Sequence, residues 1–544
     1  MSRKNSFAKV IGFVLSFVIA GALLGWGASA VFGGKTGTFT ITFCETTDTH
    51  GAFFDSLYVD GLANKTSFSN VSSYLRKIRG DGECPIVVDA GDNLQGDNAA
   101  YYFNFVNVVD SHLVSRIFNY LDYDALIVGN HDIEPGHGVY DRVAKEIGIP
   151  YLASNALHSE GLKSGKPYFE EYTVVKRNGV KVAVIGMTNA NIKSWLAEEK
   201  WKGMDFRVIS DMAQETVDRI VKKTRPNLVV LVMHTGCGTG ERDIENEARY
   251  IASNLKGIDV VLYGHDHTAV SEIVDNPNGE VAFMNAGTKN ANVARCDVTL
   301  EMKYGRVLSR KFETRLVPMD EYEPDPDFNT YFKSYYDEVK AFANKEIGDL
   351  NADLDFTCAL DGPSAFISLI HAVQLEATGA DISITAPLSL NGGVSKGKVT
   401  FRDLANIYRF ENTLNKVEMT GRQIKDYLEY SYDNWIRREG PTYNYDSAEG
   451  IDYNVSLSAE KGNRITILQL SSGRPFKMDE VYTVAMNSYR SSGGGKLLLN
   501  GAGIEPKDLK IIDKYKDIRS LVGDYISKHV EVDPKASSNW KFVK

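Results

Sequence analysis

Four short polar motifs, one isolated histidine and one glutamate carry the chemistry of this chain. They read Asp48-Thr49-His50, Gly91-Asp92-Asn93, Gly129-Asn130-His131-Asp132 with Glu134 two residues on, His234, and Gly264-His265-Asp266-His267. Asp48, His50, Asp92, Asn130, His234, His265 and His267 are metal-ligand types, and their mix of nitrogen and oxygen suits Zn, Mn, Co or Fe better than Ca or Mg. Seven such ligands exceed one tetrahedral site and fit two divalent ions. A pair of ions roughly 3.5–4 Å apart suits phosphoryl transfer: it activates a bridging water for in-line attack and neutralises phosphate oxygens. His131 follows Asn130 directly, so it sits beside the metals without having to bind one. It is the candidate transition-state stabiliser or general acid, with Asp132 or Glu134 to fix its tautomer.

Most of these motifs follow a short β-branched run: Thr40-Ile41-Thr42-Phe43, Ile86-Val87-Val88, Leu126-Ile127-Val128, Leu228 to Val232, and Val260-Val261-Leu262. Such runs read as buried strands, and open α/β sheets bind ligands at the carboxyl ends of their strands. Asp48 and His50 lie two apart, so in an extended segment they point to one side. A Gly-His-Asp-His stretch alone is a surface loop about as often as a ligand set. The succession of motifs after strands is what favours a common rim. His112, His137, His158, His371 and His529 fall outside the pattern and read as ordinary histidines, and Cys237 as a bystander.

From Phe39 to Pro318 strand-like runs alternate with helical patterns such as Ser69 to Arg79 and Ser210 to Lys223, which implies an α/β sandwich. Cys296 to Pro318 reads as a strand pair turning at Tyr304-Gly305. The proline-rich break at 322–327 precedes one connecting helix, and a second domain follows with helices near Ser364 to Thr378 and Gly421 to Tyr432 and strands near Ile465 to Leu470 and Tyr482 to Met486. The expected boundaries are 38–320, 321–346 and 347–544. The chain has 544 residues and a formal net charge of −10, which speaks against holding long nucleic acids. Residues 1–30 join Arg3, Lys4 and Lys9 to a long uncharged stretch, the plan of a secretory signal peptide or of an uncleaved membrane anchor. Either places the remainder outside the cytoplasm: periplasmic, cell-surface or extracellular. The cysteines Cys44, Cys84, Cys237, Cys296 and Cys358 are odd in number and read as buried thiols, without a disulfide framework.

The order Asp-x-His, Gly-Asp, Gly-Asn-His-Asp, His, Gly-His-x-His resembles the calcineurin-like metallophosphoesterases over Phe39 to Pro318. The resemblance implies a two-layered β-sandwich flanked by helices (αββα). It assigns Asp48, His50, Asp92 and His267 to one metal and Asp92, Asn130, His234 and His265 to the other. It makes His131 the catalytic histidine and Glu134 its acidic partner.

In the second domain, Asn391-Gly392-Gly393 is a turn signal, Phe410-Glu411-Asn412 joins an aromatic to an amide, and Tyr489-Arg490-Ser491-Ser492-Gly493-Gly494-Gly495 joins an aromatic to a glycine loop. An aromatic pair can sandwich a planar base, and Arg490 could meet a phosphate or sugar. Singly, each aromatic reads as core and the glycine run as a plain turn. With the first domain, these stretches resemble the smaller α+β C-terminal domain of the 5′-nucleotidase family, which implies a base held between Phe410 and Tyr489 with Asn412 nearby. Ser395 stands where that family carries an arginine and Gly495 where it carries an aspartate. The Tyr-Arg-x-Ser-Gly-Gly-Gly form is similar to the branch acting as 2′,3′-cyclic-nucleotide 2′-phosphodiesterase and 3′-nucleotidase. The resemblance thus implies an exported nucleotide phosphohydrolase, expected as a monomer, that uses two divalent ions. A phosphoesterase for non-nucleotide esters and a nucleotide-binding protein without turnover are the alternatives.

Overall fold

The computed structural model describes residues 35–58, 62–529 and 531–544; the candidate leader at 1–30 lies outside them. The first part is built on two six-stranded sheets. One runs in the order Arg306–Pro318, Asn292–Lys303, Gly37–Thr46, Ile86–Asp89, Ala125–Ile127, Tyr151–Leu152. The other runs Val270–Asn276, Gly279–Asn285, Val260–Gly264, Leu228–His234, Val180–Thr188, Tyr172–Arg177. In both sheets the strands that precede the motifs pair in parallel.

Alternation along each strand divides the apolar residues between two faces. Phe43, Ile86, Val88 and Ile127 of one sheet meet Val184, Val230, Val232, Val260 and Leu262 of the other in a common core. Their neighbours Cys44, Val87 and Leu126 face outward onto helices Phe68–Gly80 and Leu113–Tyr120. Val229, Leu231, Met233 and Val261 face helices Ile209–Thr224 and Ala248–Asn254. The result is the expected αββα sandwich. Strands covered on both faces need no polar alternation, which is why they read as unbroken apolar runs.

The hairpin Asn292–Lys303 to Arg306–Pro318 turns at Tyr304 and Gly305, both with positive φ. The connecting segment forms two helices, Pro326–Tyr331 and Lys333–Ala343, broken at Phe332, rather than one. It is no free spacer. Phe328, Phe332, Val339 and Ala343 are buried in the first part's core, and Phe342 packs on Phe401 of the second part.

The second part carries a five-stranded sheet in the order Ser447–Glu449, Ile382–Thr385, Val481–Asn487, Thr413–Thr420, Ile511–Asp517. Helix Gly421–Arg437 starts on a Thr420/Gln423 capping box and covers one face; Ala365–Thr378 and Ile518–His529 cover the other. Cys44 and Cys296 are buried as expected, whereas Cys84 is exposed. Among the described residues no helix is long and apolar enough to cross a membrane.

Candidate active site

Strand Gly37–Thr46 ends two residues before Asp48, so the extended geometry expected for Asp48-Thr49-His50 is not what aligns them. Asp48, His50, Asp92, His265 and His267 all have positive φ, from 46° to 90°. Such backbone in a non-glycine residue costs about 1–3 kcal/mol and persists only where surrounding contacts enforce it. Here the loops clasp each other. Asp48 N–H donates to Gly91 O at 2.8 Å, and His50 N–H to Asp92 O at 3.1 Å. The motif glycines leave no room for a side chain: a Cβ on Gly129 would lie 2.1 Å from Asp92 Oδ1, and one on Gly91 2.7 Å from the Gly129 nitrogen.

Two groups of donors result. In the first, Asp48 Oδ1 lies 3.3 Å from His267 Nε2 and 3.8 Å from His50 Nε2. Asp48 Oδ2 accepts from His265 N–H and the Thr47 hydroxyl, but Oδ1 is buried and has no hydrogen-bond partner among the described residues. The two Nε2 atoms of His50 and His267 face each other at 3.0 Å. In the second group, His234 Nε2 lies 3.0 Å from Asp92 Oδ2 and 3.1 Å from Asn130 Oδ1, and His265 Nδ1 lies 3.0 Å from Asn130 Oδ1. His234 Nδ1–H donates to Ala90 O at 2.7 Å, which leaves the Nε2 lone pair for this group.

A bare carboxylate oxygen aimed at facing imidazole nitrogens fits a cation in the first group, and a carboxylate, an amide oxygen and two imidazoles fit one in the second. Burial opposes the charged form of His234, but Asp92 prevails and raises its pKa to about 10, so a cation at Nε2 would displace a proton there. Burial pushes the Asp92 pKa up, yet the charges of His234 and His131 outweigh it and hold this carboxyl well below its usual range. Burial dominates at His50 and lowers its pKa to about 4, so its imidazole is neutral, as a ligand must be.

His131 and Glu134 occupy one face of the short helix Asn130–Ile133 and its C-cap, three residues apart. His131 Nδ1 hydrogen-bonds Glu134 Oε2. Burial opposes the charged form of His131, but Asp92 and Glu134 prevail and raise its pKa to about 9. Asp132 has a different task from the one expected. One residue on, it is turned about 100° around the helix, and its carboxylate accepts backbone N–H groups of Gly129, Asp92, Asn93 and Leu94 at 2.8–3.0 Å. It ties two motif loops together and is not the partner of His131.

The second part closes over this rim. The Phe410 ring stacks parallel to His131, with centroids 6.1 Å apart and planes 7° apart. Tyr443 meets Phe410 edge-on at 6.4 Å and Tyr489 edge-on at 6.3 Å. The glycine run backs Tyr489: a Cβ on Gly494 would fall 2.4–2.5 Å from three atoms of its ring. It is thus a ring platform rather than a plain turn. Asn412 lies near the Tyr408 hydroxyl, and its main-chain carbonyl accepts from Ile518 N–H at 2.9 Å.

Arg490 is not free to meet a ligand. It is buried, with Nε and Nη2 on Asp446, Nη1 on Asn444 Oδ1 and Gly494 O, and Nη2 also on Tyr443 O. All its donors serve to hold the Tyr443 and Tyr489 loops. Asn391-Gly392-Gly393 lies exposed beside Leu354–Asp355, where Gly392 O accepts from Phe356 N–H, and among the described residues no hydrogen bond or ring contact joins it to Phe410, Tyr443, Tyr489 or the site histidines. Tyr443, Gln95 and Trp195, which stacks on His265 at 5.2 Å, escape the sequence reading because each is a lone residue outside a motif, and Glu411 because its motif draws attention to Phe410 and Asn412 on either side.

The family model for calcineurin-like phosphoesterases matches residues 41–269, and that for the 5′-nucleotidase C-terminal domain matches residues 346–500. The chain is a calcineurin-like phosphoesterase with a 5′-nucleotidase C-terminal domain. Members of this family are metal-dependent phosphoesterases, and the motif residues described above are the ones gathered at the rim of its sandwich. The phosphoesterase is 26% identical to the trifunctional nucleotide phosphoesterase YfkN of Bacillus subtilis over 91% of this chain and 35% of that protein. It is 26% identical to a 2′,3′-cyclic-nucleotide 2′-phosphodiesterase/3′-nucleotidase of Haemophilus influenzae over 92% of this chain and 86% of that one. A Staphylococcus aureus structure assigned as a 5′-nucleotidase has the same fold: its TM-score is 0.78 and its identity 21%, covering 93% of this chain and 100% of that chain.

Proposed function

We propose that this phosphoesterase hydrolyses phosphate esters of nucleotides outside the cytoplasm, using a pair of divalent ions. The observation that carries the reading is the stack of Phe410 on His131 beside the two donor groups. It sets a flat apolar surface against the candidate acid of a phosphoester site. Bound at Asp48, His50, Asp92 and His267 and at Asp92, Asn130, His234 and His265, the ions would supply Lewis acidity and an activated water. His131, held by Glu134, would stabilise charge on the phosphoryl oxygens and deliver a proton to the leaving oxygen. Phe410 and Tyr489 would hold the base, with Tyr443 at its edge. The units 38–320 and 347–544 would carry chemistry and base recognition respectively.

Export is supported by the leader-like residues 1–30. The phosphate position is drawn toward the 2′,3′-cyclic and 3′ forms by the Tyr489 to Gly495 pattern and by the Haemophilus relative. The test is a panel of adenosine 5′-, 3′- and 2′,3′-cyclic monophosphate with purified protein and Zn, Mn, Co or Fe. Metal-dependent turnover of a nucleotide well above that of sugar or aryl phosphates supports the reading. Equal rates on base-free esters would reject nucleotide recognition, and binding without product would reject catalysis.

A further inference from the structure

Three consecutive residues, Arg409-Phe410-Glu411, reach two histidines of the site at once. The Arg409 carbonyl accepts from Gln95 Nε2 at 3.0 Å. The other end of that amide, Oε1, lies 3.2 Å from His50 Nδ1, which has the Gln95 main-chain carbonyl at the same distance. The Glu411 N–H donates to Glu134 Oε1 at 3.1 Å, and the second oxygen of that carboxylate holds His131 Nδ1. Between these links the Phe410 ring lies parallel to the His131 ring, with centroids 6.1 Å apart. Each histidine is therefore connected to the backbone of one short segment through a single side chain.

The segment is also held from behind. Arg519 donates from Nε to Tyr408 O at 2.9 Å and from Nη2 to Arg409 O at 2.6 Å. Its guanidinium sits 5.2 Å from the Tyr101 ring centroid, and the Tyr101 hydroxyl lies 3.0 Å from Ser520 Oγ. Tyr101 belongs to the sandwich; Arg519 and Ser520 belong to the second part. The segment thus cannot leave the rim without breaking links on both sides of the junction.

The Gln95 amide has two unlike ends, and docking of Arg409 decides which faces His50. With Nε2 committed to the carbonyl, Oε1 joins Gln95 O as an acceptor of the His50 Nδ1 proton, which leaves the Nε2 lone pair directed toward Asp48 and His267. Undocked, the amide loses that acceptor and can turn about its broad terminal torsion, which leaves His50 Nδ1 on the Gln95 main-chain carbonyl alone. Glu134 loses the Glu411 N–H in the same movement.

We infer that Gln95 and Glu134 are positioning residues that transmit the docking of Arg409-Phe410-Glu411 to His50 and His131, so that the site is fully set only with the base-holding surface in place. This rests on the nucleotide-hydrolase reading above. It makes turnover conditional on a docked base, and so discriminates against phosphate esters that lack one.

The test is Gln95→Glu, which keeps an acceptor toward His50 but replaces the donor to Arg409 by a second oxygen. Wild type and variant are compared on the adenosine monophosphate that the wild type turns over fastest and on p-nitrophenyl phosphate, with amide hydrogen exchange read over 405–414. The nucleotide kcat/KM should fall about tenfold more than that of the aryl ester, the size of one lost hydrogen bond, with faster exchange at Glu411. Tyr101→Phe removes only the Ser520 contact; it should shift both readouts in the same direction and keeps the test decisive if Gln95→Glu misfolds. Proportional losses on both substrates with unchanged exchange, or no loss on either, would overturn the inference. Absence of nucleotide turnover in the wild type would instead reject the hydrolase reading itself.

Discussion

The imidazole of His131 and the ring of Phe410 lie parallel, 6.1 Å between centroids, although 279 residues separate them in the chain (410 − 131). A ring of the second part therefore lies beside the candidate acid while its Nδ1 is held by Glu134. In the proposed function, chemistry and base recognition would meet at this contact.

His131→Ala should lower kcat by about 10²–10⁴-fold, the range of general acid–base catalysis. Both donor groups remain intact in that variant, so bound metal should be unchanged. Glu134→Gln should cost less, about 10–100-fold, because it weakens orientation without removing the imidazole. Steady-state kinetics paired with metal analysis checks both. Loss of metal in His131→Ala would reassign His131 as a ligand.

Gly494→Ala should weaken nucleotide binding as Tyr489→Ala does, without touching the substrate. Its Cβ would drive into the Tyr489 ring and displace it. A lost stacking face is worth about 1–3 kcal/mol, so KM should rise roughly 5- to 100-fold. An unchanged KM in both variants would remove Tyr489 from the base site.

Arg490→Met should destabilise the fold by about 3–5 kcal/mol, since it strands the buried Asp446 carboxylate. Urea unfolding reads this directly. A raised KM with unaltered unfolding would restore the phosphate-binding role that the sequence suggests.

Glu411 carries a pH signature. It is buried and neither of its oxygens has a hydrogen-bond partner among the described residues. Burial raises its pKa to about 8; Arg519 and Lys200 oppose the shift, and Glu134 and Asp517 add to it. A carboxyl with a raised folded pKa favours the fold fully below its unfolded value, and that contribution is lost as pH rises from there through about 8. Glu411→Gln should therefore melt progressively higher than wild type as pH rises from 5 to 8, and the difference should level off above that. A melting difference independent of pH would show that Glu411 is ionised throughout.

Much of this architecture is legible in the chain. The runs around Ile86, Leu228 and Val260 announce strands covered on both faces, and the motifs that follow them mark one rim. Local geometry is less accessible. Asp48 and His50 share a side through left-handed turns that only the clasp with Gly91 and Asp92 explains. Asp132 and Glu134 are both acidic neighbours of His131, and only the short helix separates their tasks. Arg490 looks available until Asp446, 44 residues away, is seen to claim it. Gln95 and Arg519 act through pairings across the two parts, and Tyr443 through rings distant in sequence, which no local pattern encodes.

Anomalous diffraction from crystals grown with manganese tests the central claim most directly. The account predicts two cation peaks per chain, one among Asp48, His50, Asp92 and His267, the other among Asp92, Asn130, His234 and His265. A single peak, or peaks away from these side chains, would contradict it.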